Sequence, residues 1–74
     1  MTDKAALRAA LGLHVKRTRV ALCLRQDELA ARCNVTVRTI YRIERGATNV
    51  TIDTIAALAA ILGCTAAHLL KVPD

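Results

Sequence analysis

The stretch Gln26-Asp-Glu-Leu-Ala-Ala-Arg-Cys-Asn-Val-Thr-Val-Arg-Thr-Ile-Tyr-Arg-Ile-Glu-Arg-Gly46 decides the fold of this chain. It predicts two short helices joined by a tight turn, the first helix running from Gln26 to about Cys33. The turn contains Asn34, a residue type that tolerates the left-handed backbone conformation. Thr36 then offers a hydroxyl that caps the second helix, and Gly46 is placed to end it.

The second helix of this stretch has two opposed faces. At about 100° per residue, its apolar residues fall on one side, and they are Val37, Ile40 and Ile43. Three arginines fall near the opposite side: Arg38, Arg42 and Arg45. Tyr41 lies on the flank between the two sides. A charged stripe is usually only a solvated surface. This stripe, however, begins in the first turn of a helix that follows a short helix and a tight turn. That layout is typical of a helix-turn-helix whose second helix enters a DNA major groove.

Length and composition favour one small all-α domain. The chain has 74 residues, and 54% of them are hydrophobic, yet it contains no Phe or Trp and only one Tyr. A core built from Ala, Leu, Ile and Val implies small, closely packed helices. No stretch alternates between apolar and polar residues for long enough to indicate a β-strand.

The charge balance indicates a polyanionic partner. Lys and Arg number 11 against 6 Asp and Glu, for a net charge of +5, which suits double-stranded DNA. The longest apolar run, residues 55–62, is too short to span a bilayer, and no signal peptide is evident. We therefore expect a cytoplasmic protein with no membrane partner.

Cysteine and histidine usage indicates neither a metal site nor a cofactor. The three cysteines show no CxxC spacing and the two histidines lie elsewhere in the chain, so no zinc template fits. We expect reduced thiols that pack as small hydrophobes. No phosphate-binding glycine loop or other small-molecule site is evident, Cys33 has no evident base partner, and His14 and His68 lie far apart in sequence. The chain is therefore not expected to be an enzyme.

A first helix is predicted to run from a cap at Thr2 or Asp3 to about Leu22. Its buried face would consist of Leu7, Leu11, Val15 and Leu22. Gly12 either permits a close approach of another element or marks a helix start near residue 11. Residues 1–10 are accordingly a helical extension or a frayed arm that precedes a domain formed by residues 11–70.

Two further helices are predicted after Gly46, which makes five in all. Thr51 caps a helix over residues 52–62, and Thr65 caps a short helix over 66–70 with Leu69 buried, followed by a tail at 71–74. The 52–62 helix carries a core stripe of Ile55, Leu58, Ala59 and Leu62. Ile52, Ala56, Ala60 and Ile61 extend its apolar surface. This second surface either reflects the high helix propensity of alanine or packs on a partner subunit.

The chain resembles the Xre/Cro/lambda-repressor-type helix-turn-helix proteins over about residues 11–70. The resemblance rests on three motifs in order: Gln26-x-x-Leu-Ala, Ile40-x-x-Ile-Glu-x-Gly and Leu58-Ala-x-x-Leu-Gly. It implies a compact five-helix lambda-repressor-like domain that regulates transcription by binding operator DNA, usually as a homodimer on a palindromic site. Small phage repressors and restriction–modification controller proteins have this format. The alternative is an antitoxin-type protein that also binds a toxin and autoregulates its operon.

The resemblance also implies a set of DNA-contacting residues. Gln26 would contact DNA at the groove edge, and Val37, Arg38 and Arg42 would contact base edges. Arginine can bind guanine O6 and N7 in a bidentate manner, and valine can pack on a thymine methyl group. Tyr41 would contact either bases or phosphates. The residues expected to bind phosphates are Arg25, Thr36, Thr39, Arg45 and Asn49.

Two further expectations concern structure rather than DNA contact. Glu44 falls on the core side of the second helix, where a carboxylate needs a partner. In the family this residue commonly pairs with an arginine of the first helix, which is Arg19 here. The dimer interface is expected around the last helix and the end of the preceding one, at Ile61, Cys64, His68 and Leu70.

Overall fold

The computed structural model describes residues 3–73, which form five α-helices and no strand. The helices are α1 (Lys4–Ala21), α2 (Gln26–Cys33), α3 (Val37–Glu44), α4 (Ile52–Leu62) and α5 (Ala66–Leu70). The all-α prediction with five helices is therefore confirmed. Residues 4–10 form the first turns of α1 and are therefore helical. The alternative cap at Thr2 and the last tail residue, Asp74, lie outside the described residues.

Four of the five helices begin at a side chain that accepts a backbone hydrogen bond. Asp3 caps α1 by accepting from the backbone N–H of Ala6 at 2.8 Å. Threonine hydroxyls cap α3, α4 and α5, and each accepts from the backbone N–H of the residue three positions later. The distances are 3.2, 3.1 and 3.0 Å for Thr36, Thr51 and Thr65, respectively. Each of these bonds satisfies one of the orphan N–H groups of a helix start.

Helix α2 solves the same problem in a different way. Its cap residue is Arg25, whose guanidinium has no acceptor to offer an N–H group. Instead, the carboxylate of Glu28 accepts from the backbone N–H of Arg25 at 2.9 Å, which is the reciprocal half of a capping box. The side chain of Asp27 also accepts from the N–H of Glu28 at 2.9 Å.

The core lies where all five helices meet. The largest fully buried side chains come from each of them: Val15, Leu29, Ile40, Ile43, Leu58 and Leu69. The prediction that Leu7 and Leu22 belong to the buried face of α1 was wrong. Leu7 is 37% exposed because it borders an open groove, and Leu22 is 49% exposed because it lies past the end of α1.

Gly12 marks the closest approach between α1 and α3. A Cβ atom at this position would lie 2.4 Å from the carbonyl oxygen of Ile43 and 2.8 Å from that of Glu44. Both neighbours are backbone atoms at the end of α3 and cannot rotate away. Of the two roles considered for this glycine, the structure therefore supports the close approach. A helix start near residue 11 was wrong, because α1 begins at Lys4.

Gly12→Ala should destabilise the protein by about 2–3 kcal/mol, because the added methyl group overpacks against immobile backbone. Without the clash, the helix propensity of alanine would stabilise α1 by about 1 kcal/mol instead. Thermal unfolding should show a melting temperature lower by about 10–20 °C. Gly63→Ala is the matched control, since nothing lies within 4 Å of its Cβ position and only its φ of +72° opposes the change. A Gly12→Ala variant as stable as wild type would contradict the close contact.

Two non-glycine residues adopt the left-handed backbone conformation at the ends of helices. Asn34 has φ +57° after α2, as its residue type predicted. Cys23 has φ +58° after α1, and a cysteine has no side-chain feature that favours this region. Glycine adopts this conformation without a steric penalty from Cβ, so Cys23 lies where a glycine would be less strained.

Candidate nucleic-acid interface

The turn before α3 fixes the direction in which this helix leaves the body of the protein. Asn34 ends α2 in the left-handed conformation, and Thr36 returns the chain to an extended conformation with φ −81° and ψ 156°. The hydroxyls of Thr36 and Thr39 lie 3.0 Å apart and share a hydrogen bond. Both threonines predicted to bind phosphate therefore lie together at the start of α3.

Helix α3 separates its side chains as its periodicity predicted, with one exception. Ile40 and Ile43 are 0% and 2% exposed, so they anchor the helix in the core. Val37 lies at the edge of the same apolar side but is 48% exposed. Its position in the first turn, away from the core, leaves its methyl groups available to a partner. The arginines of the opposite face are all exposed: Arg38, Arg42 and Arg45.

Tyr41 and Arg45 contact each other on the flank of α3. The guanidinium carbon of Arg45 lies 5.5 Å from the centroid of the Tyr41 ring, within the range of a cation–π interaction. Tyr41 remains 49% exposed. The pair holds a cation and a phenol group near the end of the helix.

Glu44 is the only acidic residue between residues 36 and 51, and it is bound by two side chains. Arg19 donates to it twice, from Nε at 2.6 Å and from a terminal nitrogen at 3.0 Å. The side chains are only 12% and 4% exposed for Arg19 and Glu44, respectively. This hydrogen-bonded carboxylate raises the pKa of the Arg19 guanidinium. The two residues expected to pair therefore do so, in bidentate geometry.

The same cluster contains two contacts that the sequence did not predict. The amide nitrogen of Gln26 donates to the Glu44 carboxylate at 3.0 Å. Arg19 also donates to the carbonyl oxygen of Leu24 at 2.9 Å. The cluster thus connects α1, the α1–α2 loop, α2 and α3. Gln26 is half-buried, and its amide is oriented by the same carboxylate that orients α3.

Arg25, predicted to bind a phosphate beside Gln26, contacts acidic side chains of its own helix. Its Nε lies 3.1 Å from the Asp27 carboxylate and 3.6 Å from that of Glu28. The guanidinium lowers the pKa of Asp27 through this hydrogen bond. The side chains of Arg25 and Asp27 are 74% and 63% exposed, so the pair is weak and can exchange for another anion.

The other predicted site residues lie apart from this cluster. Asn49 is exposed in the loop between α3 and α4, where its carbonyl oxygen accepts from the Thr48 hydroxyl at 3.4 Å. Of the expected dimer contacts, Ile61 and Cys64 are half-buried against the core, and Leu70 is half-buried at the end of α5. His68 is exposed.

His14 and His68, which are distant in sequence, meet in the structure. Their ring centroids lie 5.2 Å apart, and Nε2 of His14 lies 2.9 Å from the carbonyl oxygen of Lys71. Within residues 3–73, no third His, Cys, Asp or Glu joins a group that could hold a metal ion. Cys33 is buried in the core, and burial raises the pKa of its thiol.

None of the helices in the described part combines the length and the apolar character that crossing a membrane requires. The exposed face of α3 carries three cationic side chains that form no ion pair within the described chain: Arg38, Arg42 and Arg45. Its single carboxylate is turned inward and bound by Arg19. This arrangement leaves a positive surface that can bind an anionic partner without internal competition.

Comparison with known proteins assigns this geometry to a family. The model of the helix-turn-helix family HTH_3 matches residues 15–69. No curated protein sequence matches the chain significantly. Among solved structures, a hypothetical transcription factor NHTF from Neisseria is 34% identical, with a TM-score of 0.87, over 96% of this chain and 80% of that one.

Two further solved structures have the same fold. The P22 c2 repressor, in complex with a synthetic operator, is 30% identical with a TM-score of 0.80, over 82% of this chain and 92% of that chain. The restriction–modification controller protein C.AhdI from Aeromonas hydrophila is 28% identical with a TM-score of 0.83, over 92% of this chain and 99% of that chain. The chain belongs to the HTH_3 helix-turn-helix family of DNA-binding transcription regulators and has its lambda-repressor-like five-helix fold.

Proposed function

We propose that the protein is a sequence-specific transcription regulator that binds a palindromic operator as a homodimer. One observation supports this most directly. Arg38 and Arg42 are exposed one turn apart on α3, opposite the buried Ile40 and Ile43. The P22 c2 repressor, whose structure contains operator DNA, is 30% identical to this chain. In the proposed complex α3 lies in the major groove and its exposed face meets the bases.

The residues of α3 take different roles in this proposal. Arg38 and Arg42 bind guanine edges, each through two hydrogen bonds, and Val37 packs on a thymine methyl group. These contacts determine sequence preference. Arg45 and Tyr41 lie nearer the end of the helix, where they contact the sugar–phosphate backbone. Backbone contacts fix the register of the protein on DNA without selecting a sequence.

Residues outside α3 supply further backbone contacts. Gln26 lies at the start of α2, and its amide is held by Glu44, so it can present a defined edge to a phosphate. Arg25 would exchange its exposed contact with Asp27 for a phosphate. Thr36 and Asn49 complete the set outside α3, and Thr39, in the first turn of α3, is a further phosphate contact in this proposal. Glu44 and Arg19 do not contact DNA in this proposal but orient α3 and Gln26.

A homodimer is proposed because a palindromic site requires two copies related by a twofold axis. The interface around Ile61, Cys64, His68 and Leu70 stays a prediction from the sequence. The protein would act in the cytoplasm, where its three thiols stay reduced. None of the matches described above concerns a toxin partner, so we retain the regulator over the antitoxin alternative.

Selection of bound sites from random DNA would test the proposal. The expected result is an enriched sequence whose two halves are related by an inverted repeat. Enrichment of a single unrepeated half would refute the dimer, and enrichment of no sequence at all would refute the regulator.

The salt dependence of binding to the selected site should reveal the phosphate contacts. The logarithm of the binding constant should fall linearly with the logarithm of salt concentration, with a slope of about −0.9 per neutralised phosphate. Arg45→Ala should make this slope shallower by about 1 and weaken binding to the selected and scrambled sites alike. A change that affects only the selected site would instead assign Arg45 to base contact.

A further inference from the structure

An apolar groove lies between the first turns of α1, the start of α4 and the end of α5. Its volume is about 500 Å³. Five aliphatic side chains line it, together with the polar residues Lys4, Arg8 and Asn49: Leu7, Leu11, Val50, Ile55 and Leu70. Leu7 is exposed and Leu11 is buried, and the other three aliphatic side chains are half-buried and pack against the core. The groove therefore leaves apolar surface in water within the isolated chain.

An exposed aliphatic side chain lies directly beside this groove. Ile52 is 82% exposed, the highest value among the exposed large hydrophobic residues of the described chain. It precedes Ile55 by three residues in α4, so the two side chains lie on the same side of the helix. Val50 and Ile55, on either side of it in the sequence, both line the groove. A protruding apolar group and an apolar recess are thus neighbours on one surface.

The charged residues at the groove are opposite in sign to the charged residue beside Ile52. Lys4 and Arg8 border the groove, and neither forms an ion pair with any residue of the described chain. Asp53 follows Ile52, is exposed, and makes no side-chain hydrogen bond or ion pair within residues 3–73. It is the only acidic residue from residue 45 to residue 73. Unpaired charges of opposite sign therefore accompany the recess and the protruding group.

We propose that this groove binds Ile52 of a second copy of the chain, in an isologous dimer in which Asp53 of each copy meets Lys4 and Arg8 of the other. A twofold contact requires the protruding group and its recess on the same surface, so that each copy gives and receives the same contact. The proposal rests on the dimer of the proposed function and specifies its surface. It centres the interface on the starts of α1 and α4. Of the residues predicted from the sequence to form the interface, it retains Leu70.

The first turns of α1 form one side of this surface. Residues 4–14 precede the part that the family model matches, which begins at residue 15. They pack on the loop that follows α3, because a Cβ atom added at Gly46 would lie 3.3–3.5 Å from the backbone of Arg8 and Ala9. The segment that carries Lys4, Leu7 and Arg8 is therefore adjacent to this loop.

Sedimentation equilibrium of the full chain without DNA would test the proposal. The wild type should dimerise with a dissociation constant on the order of micromolar, as a small interface allows. Ile52→Lys should weaken the dimer by about 100-fold or more, because the twofold contact loses the burial of an isoleucine twice. Val20→Lys is the matched control: it places the same charge on another helical aliphatic residue, which is 56% exposed on α1.

A charge exchange would test the polar part of the contact. Arg8→Glu and Asp53→Arg should each weaken the dimer by about tenfold, since like charges then meet across the interface. The double variant restores opposite charges and should recover most of the lost affinity. Circular dichroism melts of each variant at low concentration would show whether the monomer itself has lost stability.

Three outcomes would overturn the proposal. They are a wild type that stays monomeric at millimolar concentration, equal weakening by Ile52→Lys and Val20→Lys, and additive losses in the charge-exchange double variant. Failure of the regulator proposal would appear elsewhere, as absence of sequence selection by the wild type on DNA. A dimer lost in Ile52→Lys with unchanged selection of the half-site sequence would support both proposals together.

Discussion

Replacing Glu44 by alanine should lower the free energy of unfolding by about 3–5 kcal/mol. The Arg19 side chain is only 12% exposed, so the change leaves a largely buried cation without its counter-charge. The amide of Gln26 loses its acceptor at the same time. Chemical denaturation of the variant and the wild type at one ionic strength would measure the difference.

Asp27→Ala is the matched control for this prediction. Asp27 also pairs with an arginine, at 3.1 Å, but both side chains are more than half exposed. Its loss should lower the free energy of unfolding much less than the loss of Glu44 does, since exposed pairs contribute little. Asp27 also accepts one backbone N–H at the start of α2, as Asp3 does for α1, so the loss in Asp27→Ala is an upper bound on the contribution of an exposed ion pair. If Glu44→Ala and Asp27→Ala unfolded at the same denaturant concentration, burial of the Arg19 pair would contribute nothing.

A double-mutant cycle separates the pair from its surroundings. Arg19→Met/Glu44→Leu should be more stable than Glu44→Leu alone, because it leaves no buried charge. Strictly additive losses would mean that Arg19 and Glu44 act independently. The contact of Gln26 with Glu44 is lost in both proteins that carry Glu44→Leu, so it cancels in the coupling energy of Arg19 and Glu44.

Arg38→Ala/Arg42→Ala should reduce the preference for the selected operator over scrambled DNA by about 100-fold or more. Each bidentate arginine–guanine contact contributes about 1–3 kcal/mol of discrimination. Fluorescence anisotropy on both DNA sequences at one salt concentration gives the ratio directly. Because Ile40 and Ile43 stay in place, the variant should keep its fold and its melting temperature.

Arg17→Ala/Lys71→Ala removes the same charge from exposed positions outside α3. This control should lose some affinity for all DNA, through the reduced net charge, but keep its sequence preference. The assignment of base contacts to α3 would fail if the two double variants had the same ratio of specific to non-specific binding.

The helices of this chain could be predicted because their signals are local. Thr36, Thr51 and Thr65 lie one residue before a helix in both the sequence pattern and the structure. The apolar repeat that predicts burial of Leu58, Ala59 and Leu62 is also local. Leu7 failed because periodicity assigns a face to a helix but does not tell how far along the helix the rest of the protein extends.

The site could be predicted only in part, for a similar reason. The arginine face of α3 follows from helical spacing, and the Arg19–Glu44 pair followed from family resemblance together with the core-side position of Glu44. The contact of Gln26 with Glu44 joins residues 18 positions apart in sequence, and no spacing rule indicates it. Glu28 at the third position of α2 was a local signal for a capping box, but Arg25 at the cap concealed it.

The approach of α1 to the end of α3 at Gly12 has a consequence for motion. Helix α3 has eight residues and would not be stable alone. It packs chiefly on α1 and α2, and α1 in turn packs on α4 and α5. The backbone amides of α3 should therefore exchange with solvent only when α1 separates from the core, close to global unfolding. In the proposed complex, DNA would then meet a helix that is already ordered, and association would restrict the long side chains of Arg38 and Arg42 rather than the backbone beneath them.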